Sequence, residues 1–441
     1  MKHSLVTILA AGTLLCACSG SPAAFWTERE GHFYRGTDTA PQYFIGTNMW
    51  YGPLLASDTG AADPQRLSRE LDSLKEIGIT NLRVLVGADG TTGPEGKVKP
   101  ALQTSPGVWD ESVFVGLDRF LAELGKRDMT AVLFLNNAWE WSGGFGQYLE
   151  WAGAGKAKST MDALWSDYCA FTSQFVVNSE AKEMFRTHLR NTVSRVNTVT
   201  GKAYRDDPAI FAWQICNEPR FFVSDPALKE AFIDWIWDSA RLIKSLDPNH
   251  LVSTGSEGSW GCEGDWDVYR RMHECPDVDY LTCHIWPLNW SWAHKESLGD
   301  DLEGAVDKTC EYIREHIAVA EELGKPLVVE EFGFPRDGFQ FAKGTPTTLR
   351  DQYYTAIFNI LLEQSAKKGV FAGANFWTWG GMAKQTPGHT FWQEGDDYSG
   401  DPAQEQQGLN SVYQSDASTI SLIRSTCHEL EQNRLNPPII Q

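Results

Sequence analysis

Two glutamates close apolar runs in this sequence. Glu218 follows Ile210-Phe211-Ala212-Trp213-Gln214-Ile215-Cys216-Asn217, and Glu331 ends Leu327-Val328-Val329-Glu330-Glu331. Two carboxyls about 5–5.5 Å apart across one opening can hydrolyse a glycosidic bond with retention, one attacking the anomeric carbon while the other protonates the leaving oxygen. The acid needs a raised pKa and the nucleophile a low one. Arg83, in Asn81-Leu82-Arg83-Val84, can hold Glu331 ionised through a charge-assisted hydrogen bond, whereas Glu218 has no such partner in the sequence. Glu331 is therefore expected to be the nucleophile and Glu218 the acid/base. Asn217 can donate its amide to a sugar 2-OH, His284 can orient one carboxylate, and Trp377 can floor the sugar.

These residues need elements that converge. Eight short β-rich runs occur at 43–48, 80–86, 130–136, 210–217, 251–255, 280–284, 327–331 and 369–377. Most lack polar alternation, as strands covered on both faces do. Amphipathic stretches lie between them at 64–77, 112–126, 160–200, 226–246, 302–323 and 349–368. Ile77-Gly78 reads as a C′ glycine, and Asp247-Pro248 as a helix stop. The alternation argues for an α/β fold, a (β/α)8 TIM barrel in one catalytic domain. A doubly wound sheet would need a Gly-rich phosphate loop after the first strand, and Gly46-Thr47-Asn48-Met49-Trp50 is not one. Barrel enzymes work at the C-terminal strand ends. Polar or aromatic residues stand there: Arg83, Asn136, Asn217-Glu218, His284, Glu330-Glu331 and Trp377.

Composition narrows the class. With 441 residues and 42% apolar content, the chain has material for a large core. Its 38 basic and 58 acidic side chains give a net charge of −20, which disfavours nucleic acid. The 18 tryptophans offer flat apolar faces on which sugar rings stack. Lys2 precedes an apolar run at 5–15 that suits a signal peptide and is too short to span a bilayer. The run ends in Leu15-Cys16-Ala17-Cys18, which resembles a bacterial lipobox with Cys18 as the lipidated residue. The expected organisation is a signal at 1–17, a tether at 18–24 and the catalytic domain at 25–441. The protein is then exported, as an outer-membrane or periplasmic lipoprotein anchored by its N-terminal lipid; ordinary secretion with Cys18 inside the discarded peptide is the alternative. Export permits disulfides, and Cys262 and Cys275 flank a short loop and are candidates to pair. No Cys/His cluster has zinc spacing, and Asp265, Asp267, Asp277 and Asp279 lack a calcium-loop pattern. No metal or cofactor is expected, and the chain is expected to be a monomer.

The residues resemble glycoside hydrolase family 5, whose barrels carry catalytic glutamates on strands four and seven. The most specific piece is Tyr204-Arg205-Asp206-Asp207-Pro208 through Trp213-Gln214-Ile215-Cys216-Asn217-Glu218-Pro219-Arg220, which is similar to the strand-four signature of the endo-β-1,4-mannanase subfamily 7. Asn136-Asn137-Ala138-Trp139-Glu140-Trp141 and Gly46-Thr47-Asn48-Met49-Trp50-Tyr51 are similar to the same subfamily. The resemblance implies Glu218 as acid/base and Glu331, directly before Phe332-Gly333, as nucleophile, with Arg83, Asn217 and His284 in support. It implies sugar contacts from Trp377 and, on the leaving-group side, from Arg220, for which a helix-start role is equally open. Trp50, Asn136, Trp139 and Trp286 are further candidate sugar-binding residues near strand ends. Where the family often has Tyr two residues after the strand-six His, this chain has Trp286, whose indole N–H can only donate. The implied substrate is β-mannan (mannan, glucomannan or galactomannan) or its manno-oligosaccharides, cut internally. An exo-acting β-mannosidase or mannobiohydrolase, a β-1,4-glucanase and a non-catalytic glycan-binding lipoprotein remain as alternatives.

Overall fold

In the computed structural model, which describes residues 25–91 and 97–435, the apolar runs form eight parallel strands. They are β1 (Phe44–Asn48), β2 (Asn81–Leu85), β3 (Thr130–Phe134), β4 (Ile210–Gln214), β5 (Leu251–Ser253), β6 (Leu281–Ile285), β7 (Leu327–Phe332) and β8 (Phe371–Phe376). Pairing runs from β5 through β4, β3, β2, β1, β8 and β7 to β6. A parallel bridge between Ser253 and Tyr280 closes β5 onto β6. The result is the expected (β/α)8 barrel. Every barrel strand is buried along its whole length, which explains why the runs show no alternation.

Eight helices surround the strands: α1 (Pro64–Glu76), α2 (Glu111–Lys126), α3 (Ser179–Val193), α4 (Pro226–Leu246), α5 (Trp266–His273), α6 (Leu298–Leu323), α7 (Thr348–Lys367) and α8 (Ala417–Leu435). Side-chain caps fix five of their starts. Asp63, Asp110, Asn178, Asp225 and Asp265 each accept a first-turn backbone N–H, an interaction worth about 1 kcal/mol per helix. Gly78, at φ +97°, follows the Ile77 cap as its sequence position suggested. The stretch 160–200 is not one helix. It divides into Trp165–Thr172, a 3-10 turn at Ser173–Val177, and α3. Asn178 causes the restart by taking the Ala181 N–H on its side chain.

The two ends of the barrel differ. An antiparallel hairpin (Trp26–Arg29 with His32–Arg35) plugs the N-terminal end. Its Trp26 lies 4.9 Å from Phe211, and its Phe33 lies 5.2 Å from Phe211 and 5.3 Å from Tyr280, all edge-on. The C-terminal end carries a cleft lined by the segments after β3, β4, β5, β6 and β8. Cys262 and Cys275 do not pair. Every described cysteine is a free thiol, and these two are buried in apolar surroundings where a thiol packs as a small hydrophobe. No described helix is long and apolar enough to cross a membrane. The signal segment, the tether and Cys18 lie outside the described residues.

Candidate active site

The chain leaves β4 toward the mouth of the barrel and pins itself to the adjoining strand ends. Asn217 N–H donates to Asn136 O at 2.8 Å, and Glu218 N–H donates to Gly255 O at 2.9 Å. Glu218 itself has φ +50°, a left-handed conformation that costs a β-carbon residue about 1–2 kcal/mol. The turn swings its carboxyl over the opening. From β7, a register shift does the equivalent for Glu331. Cys283 pairs with Val329, and His284 pairs with Glu331, so β7 carries one extra residue between them. Such bulges re-aim side chains beside active sites.

The two carboxyls and one ring nitrogen of His284 come together. One ligand atom from each of Glu218, His284 and Glu331 lies within 4.8 Å of the others. That spacing suits retaining double displacement, and an attacking water between the two carboxyls would need a wider gap. Arg83, buried on β2, donates to Glu331 through Nη1, to Asn217 Oδ1 at 2.7 Å through Nη2, and to Gln214 Oε1 at 2.8 Å through Nε. The Asn217 amide donates to Asn137 Oδ1 at 3.0 Å and keeps a second N–H for a ligand. His284 Nδ1 lies 2.8 Å from Glu218 and 3.4 Å from Glu331. Trp139 Nε1 donates to the other Glu218 oxygen at 2.5 Å.

This arrangement sets the protons. Burial opposes charge on His284, but Glu331, Glu218 and Glu330 outweigh it and push the imidazole up to about 9. Burial raises both carboxyls. On Glu331 it prevails over His284 and Arg83, with the Glu218 charge adding to it, and moves the group up to about 7. On Glu218 the hydrogen bonds and charge of His284, with the Trp139 N–H, prevail and hold the group below the usual glutamate value. The sequence expectation placed the proton on Glu218. The surroundings favour it on Glu331, because Glu218 has two donors that arrive from β6 and the loop after β3. Two carboxylates this close oppose each other's charge, which favours one proton on the pair. The same triangle has the closeness of a cation site, yet a protonated imidazole has no lone pair to give, and Arg83 already supplies a positive charge to Glu331.

Around the pair opens a cleft of about 580 Å³. Of the residues expected from sequence to touch sugar, Trp139, Arg220, Trp286 and Trp377 line it, as do Asn217, Glu218 and Glu331. Arg220 also pairs with Glu257 at 3.2 Å and Glu263 at 2.7 Å. Trp286 packs edge-on against Trp377 at 6.1 Å, and no hydrogen bond links its indole to Glu331. Two expectations fail. Trp50 is no sugar platform: it is 1% exposed, it packs against Trp141 and Tyr398, and it donates to Gly400 O at 2.5 Å. Asn136 lies buried beneath the cleft, where its side chain accepts the Asn137 N–H at 2.7 Å.

The structure adds lining residues that the sequence did not single out. Glu257, from the loop after β5, is pushed up to about 8 by burial and by the Glu218 charge, against Arg220. Gln404 and Glu405 reach in from the loop after β8, and Trp165 from the loop after β3. No residue pattern marks these positions, since Glu257, Gln404 and Glu405 stand on long loops and Trp165 opens a short helix inside one, all placed by tertiary packing.

Comparison with known proteins agrees with this geometry. The family described as glycoside hydrolase family 5, β-mannosidase-like, matches residues 23–434. A rice protein named mannan endo-1,4-β-mannosidase 4 is 31% identical, covering 76% of this chain and 69% of its own. The crystal structure of a glycoside hydrolase family 5 mannosidase from Rhizomucor miehei superposes with TM-score 0.85 at 32% identity, covering 94% of this chain and 100% of that one. An endo-1,4-β-D-mannanase from Thermotoga petrophila gives TM-score 0.65 at 25% identity, covering 88% and 99%. The chain belongs to glycoside hydrolase family 5.

Proposed function

We propose that this protein is a retaining endo-β-1,4-mannanase acting on mannan, glucomannan or galactomannan. The observation that carries the chemistry is the close approach of Glu218 and Glu331 in the cleft, with Arg83 bonded to Glu331. The preference for mannan is supported by the names of its relatives. Glu331 attacks the anomeric carbon, and Glu218 gives its proton to the departing glycosidic oxygen. For that step the pair's proton must stand on Glu218. His284 Nδ1, within reach of both carboxyls, is placed to balance the exchange as a sugar enters. The free N–H of Asn217 is directed to the 2-OH, a contact that strengthens in the transition state. Once Glu331 is esterified its charge is gone, and Glu218, now a carboxylate, takes a proton from water. That water attacks the anomeric carbon, its bond to the Glu331 oxygen breaks, and Glu331 leaves as a carboxylate.

A second reading is exo attack by a β-mannosidase or mannobiohydrolase. It is favoured by the loop after β8, which puts Pro402, Gln404, Glu405, Leu409 and Asn410 on the cleft wall. Product sizing on mannohexaose separates the two: mixed internal products mean endo cleavage, and one small product from the start means exo. NMR of the first anomer formed tests retention, and an initial α-product would overturn double displacement. A glycan-binding protein without catalysis would release no reducing sugar from mannan, either as wild type or as Glu331→Ala. The N-terminal reading is part of this proposal: acylated Cys18 would hold the enzyme at a membrane, and Cys18→Ala would release it to the soluble fraction.

A further inference from the structure

Glu330 has no part in the reaction above, yet no acid at the site is set deeper. Its side chain is fully buried and does not line the cleft. Oε2 accepts from Gln214 Nε2 at 2.6 Å, and it lies 3.6 Å from Arg83 Nε and 3.9 Å from His284 Nε2. Oε1 accepts from Tyr280 OH at 3.2 Å. Gln214 ties this acid to the catalytic frame, since its own oxygen takes the Arg83 Nε–H at 2.8 Å. The bulge in β7 makes the arrangement possible. With strict alternation, neighbouring residues 330 and 331 would point to opposite faces. With the extra residue, Glu330 reaches the barrel interior and Glu331 reaches the mouth.

His284 is thus held between acids. Glu218 and Glu331 take its Nδ1 side. Its Nε2 has no hydrogen-bond partner, and Glu330 is the acid across from it. Glu257, on the loop after β5, acts on the ring through space, and Arg83 on β2 is the neighbouring cation. Arg83 and His284 are both fully buried and both face the reacting pair. We propose that Glu330 is a positioning residue: its carboxyl, set under the catalytic pair opposite His284 Nε2 and beside Arg83 Nε, supports the proton on that ring nitrogen and seats Arg83 against Glu331. The inference rests on Glu331 being the nucleophile.

The test is the titration of the His284 ring in the full-length protein without substrate, followed by NMR with ¹⁵N-labelled histidine and assigned by loss of signal in His284→Gln. Glu330→Gln removes the charge while keeping the shape. The expected result is a fall of about one pH unit or more in the His284 midpoint, a tenfold change in its protonated-to-neutral ratio, with kcat reduced and KM little changed. Glu330→Asp keeps a charge and should restore the midpoint in part. An unchanged His284 midpoint in a folded Glu330→Gln protein overturns the proposal. So does a loss of activity in both variants that simply follows their melting temperatures. Failure of the nucleophile assignment would show separately, as surviving activity in Glu331→Ala, whatever the His284 midpoint does in Glu330→Gln.

Discussion

Trp139 and Glu218 are joined by an indole N–H that donates to the carboxyl at 2.5 Å. The sequence marks Trp139 as a sugar platform, but this bond makes it also a regulator of the acid/base. A donor to the charged form lowers a carboxyl's pKa, so its loss raises it. In Trp139→Phe the platform remains and the donor is gone. The alkaline limb of kcat/KM against pH should move upward by about half a unit to one unit. Trp139→Ala should in addition raise KM. An alkaline limb that stays in place in Trp139→Phe would mean the bond does not act on Glu218.

Trp50 and Trp377 should part company under substitution. Trp50 is buried behind Trp141 and does not itself line the cleft, so Trp50→Ala should cost about 3–5 kcal/mol of stability. Protein that remains folded should keep its KM for mannotriose. Trp377 lines the cleft with an unpartnered indole N–H, and Trp377→Ala should lower kcat/KM about tenfold or more with a smaller change in melting temperature. A raised KM in Trp50→Ala would restore it as a sugar-contact residue.

The difference between these tryptophans shows where the sequence stops being informative. Strand ends are legible because period and burial fix them. Asn217, Glu218, His284 and Glu331 fall where runs finish; Arg83, read from sequence as a strand-end residue, stands in the middle of β2 and reaches the site by its length. What surrounds them is carried by loops. Trp50 stands two residues past β1 and Trp377 one residue past β8, yet the loop after β8 covers Trp50 through Gly400. Glu257, Gln404 and Glu405 have no periodic signal at all. The proton balance was misjudged for the same reason, since the two donors to Glu218 come from elements about 66 and 79 residues away in the chain and pairing across a barrel is set by closure rather than by local pattern.

Glu257 should make stability depend on pH. Its carboxyl ionises near 4.5 when exposed, and burial first, then the Glu218 charge, push it up to about 8 in the folded protein. Between those values the folded state holds a proton that the unfolded state has released. Stability therefore falls as pH rises through that window. Glu257→Gln mimics the protonated form throughout. Its melting temperature relative to wild type should rise steadily from about pH 5 to pH 8, as followed by calorimetry. A difference that is flat across this range would show that the group ionises normally.

Gln404 and Glu405 present the last expectation. Gln404 Oε1 and Glu405 Oε2 are buried acceptors with no hydrogen-bond donor, and both residues line the cleft. The other acids that line it have partners. Glu140 accepts from Thr160, Glu257 pairs with Arg220, and the catalytic pair is held as described. A buried acceptor left without a donor costs about 1–3 kcal/mol, and sugar hydroxyls are the donors that a substrate brings. Burial also raises the Glu405 carboxyl well above its usual value, with the charges of Asp401, Glu331 and Glu218 adding to the shift, so the group can also offer a proton to a sugar oxygen. Removing this group should thus weaken substrate binding while relieving strain in the free protein. Glu405→Ala should raise KM for mannotriose by about tenfold or more, the equivalent of 1–3 kcal/mol, together with an unchanged or higher melting temperature. If the loop after β8 closes off one end of the cleft, the same variant should also shift mannohexaose cleavage toward internal bonds. If KM holds at the wild-type value, those two acceptors face no sugar.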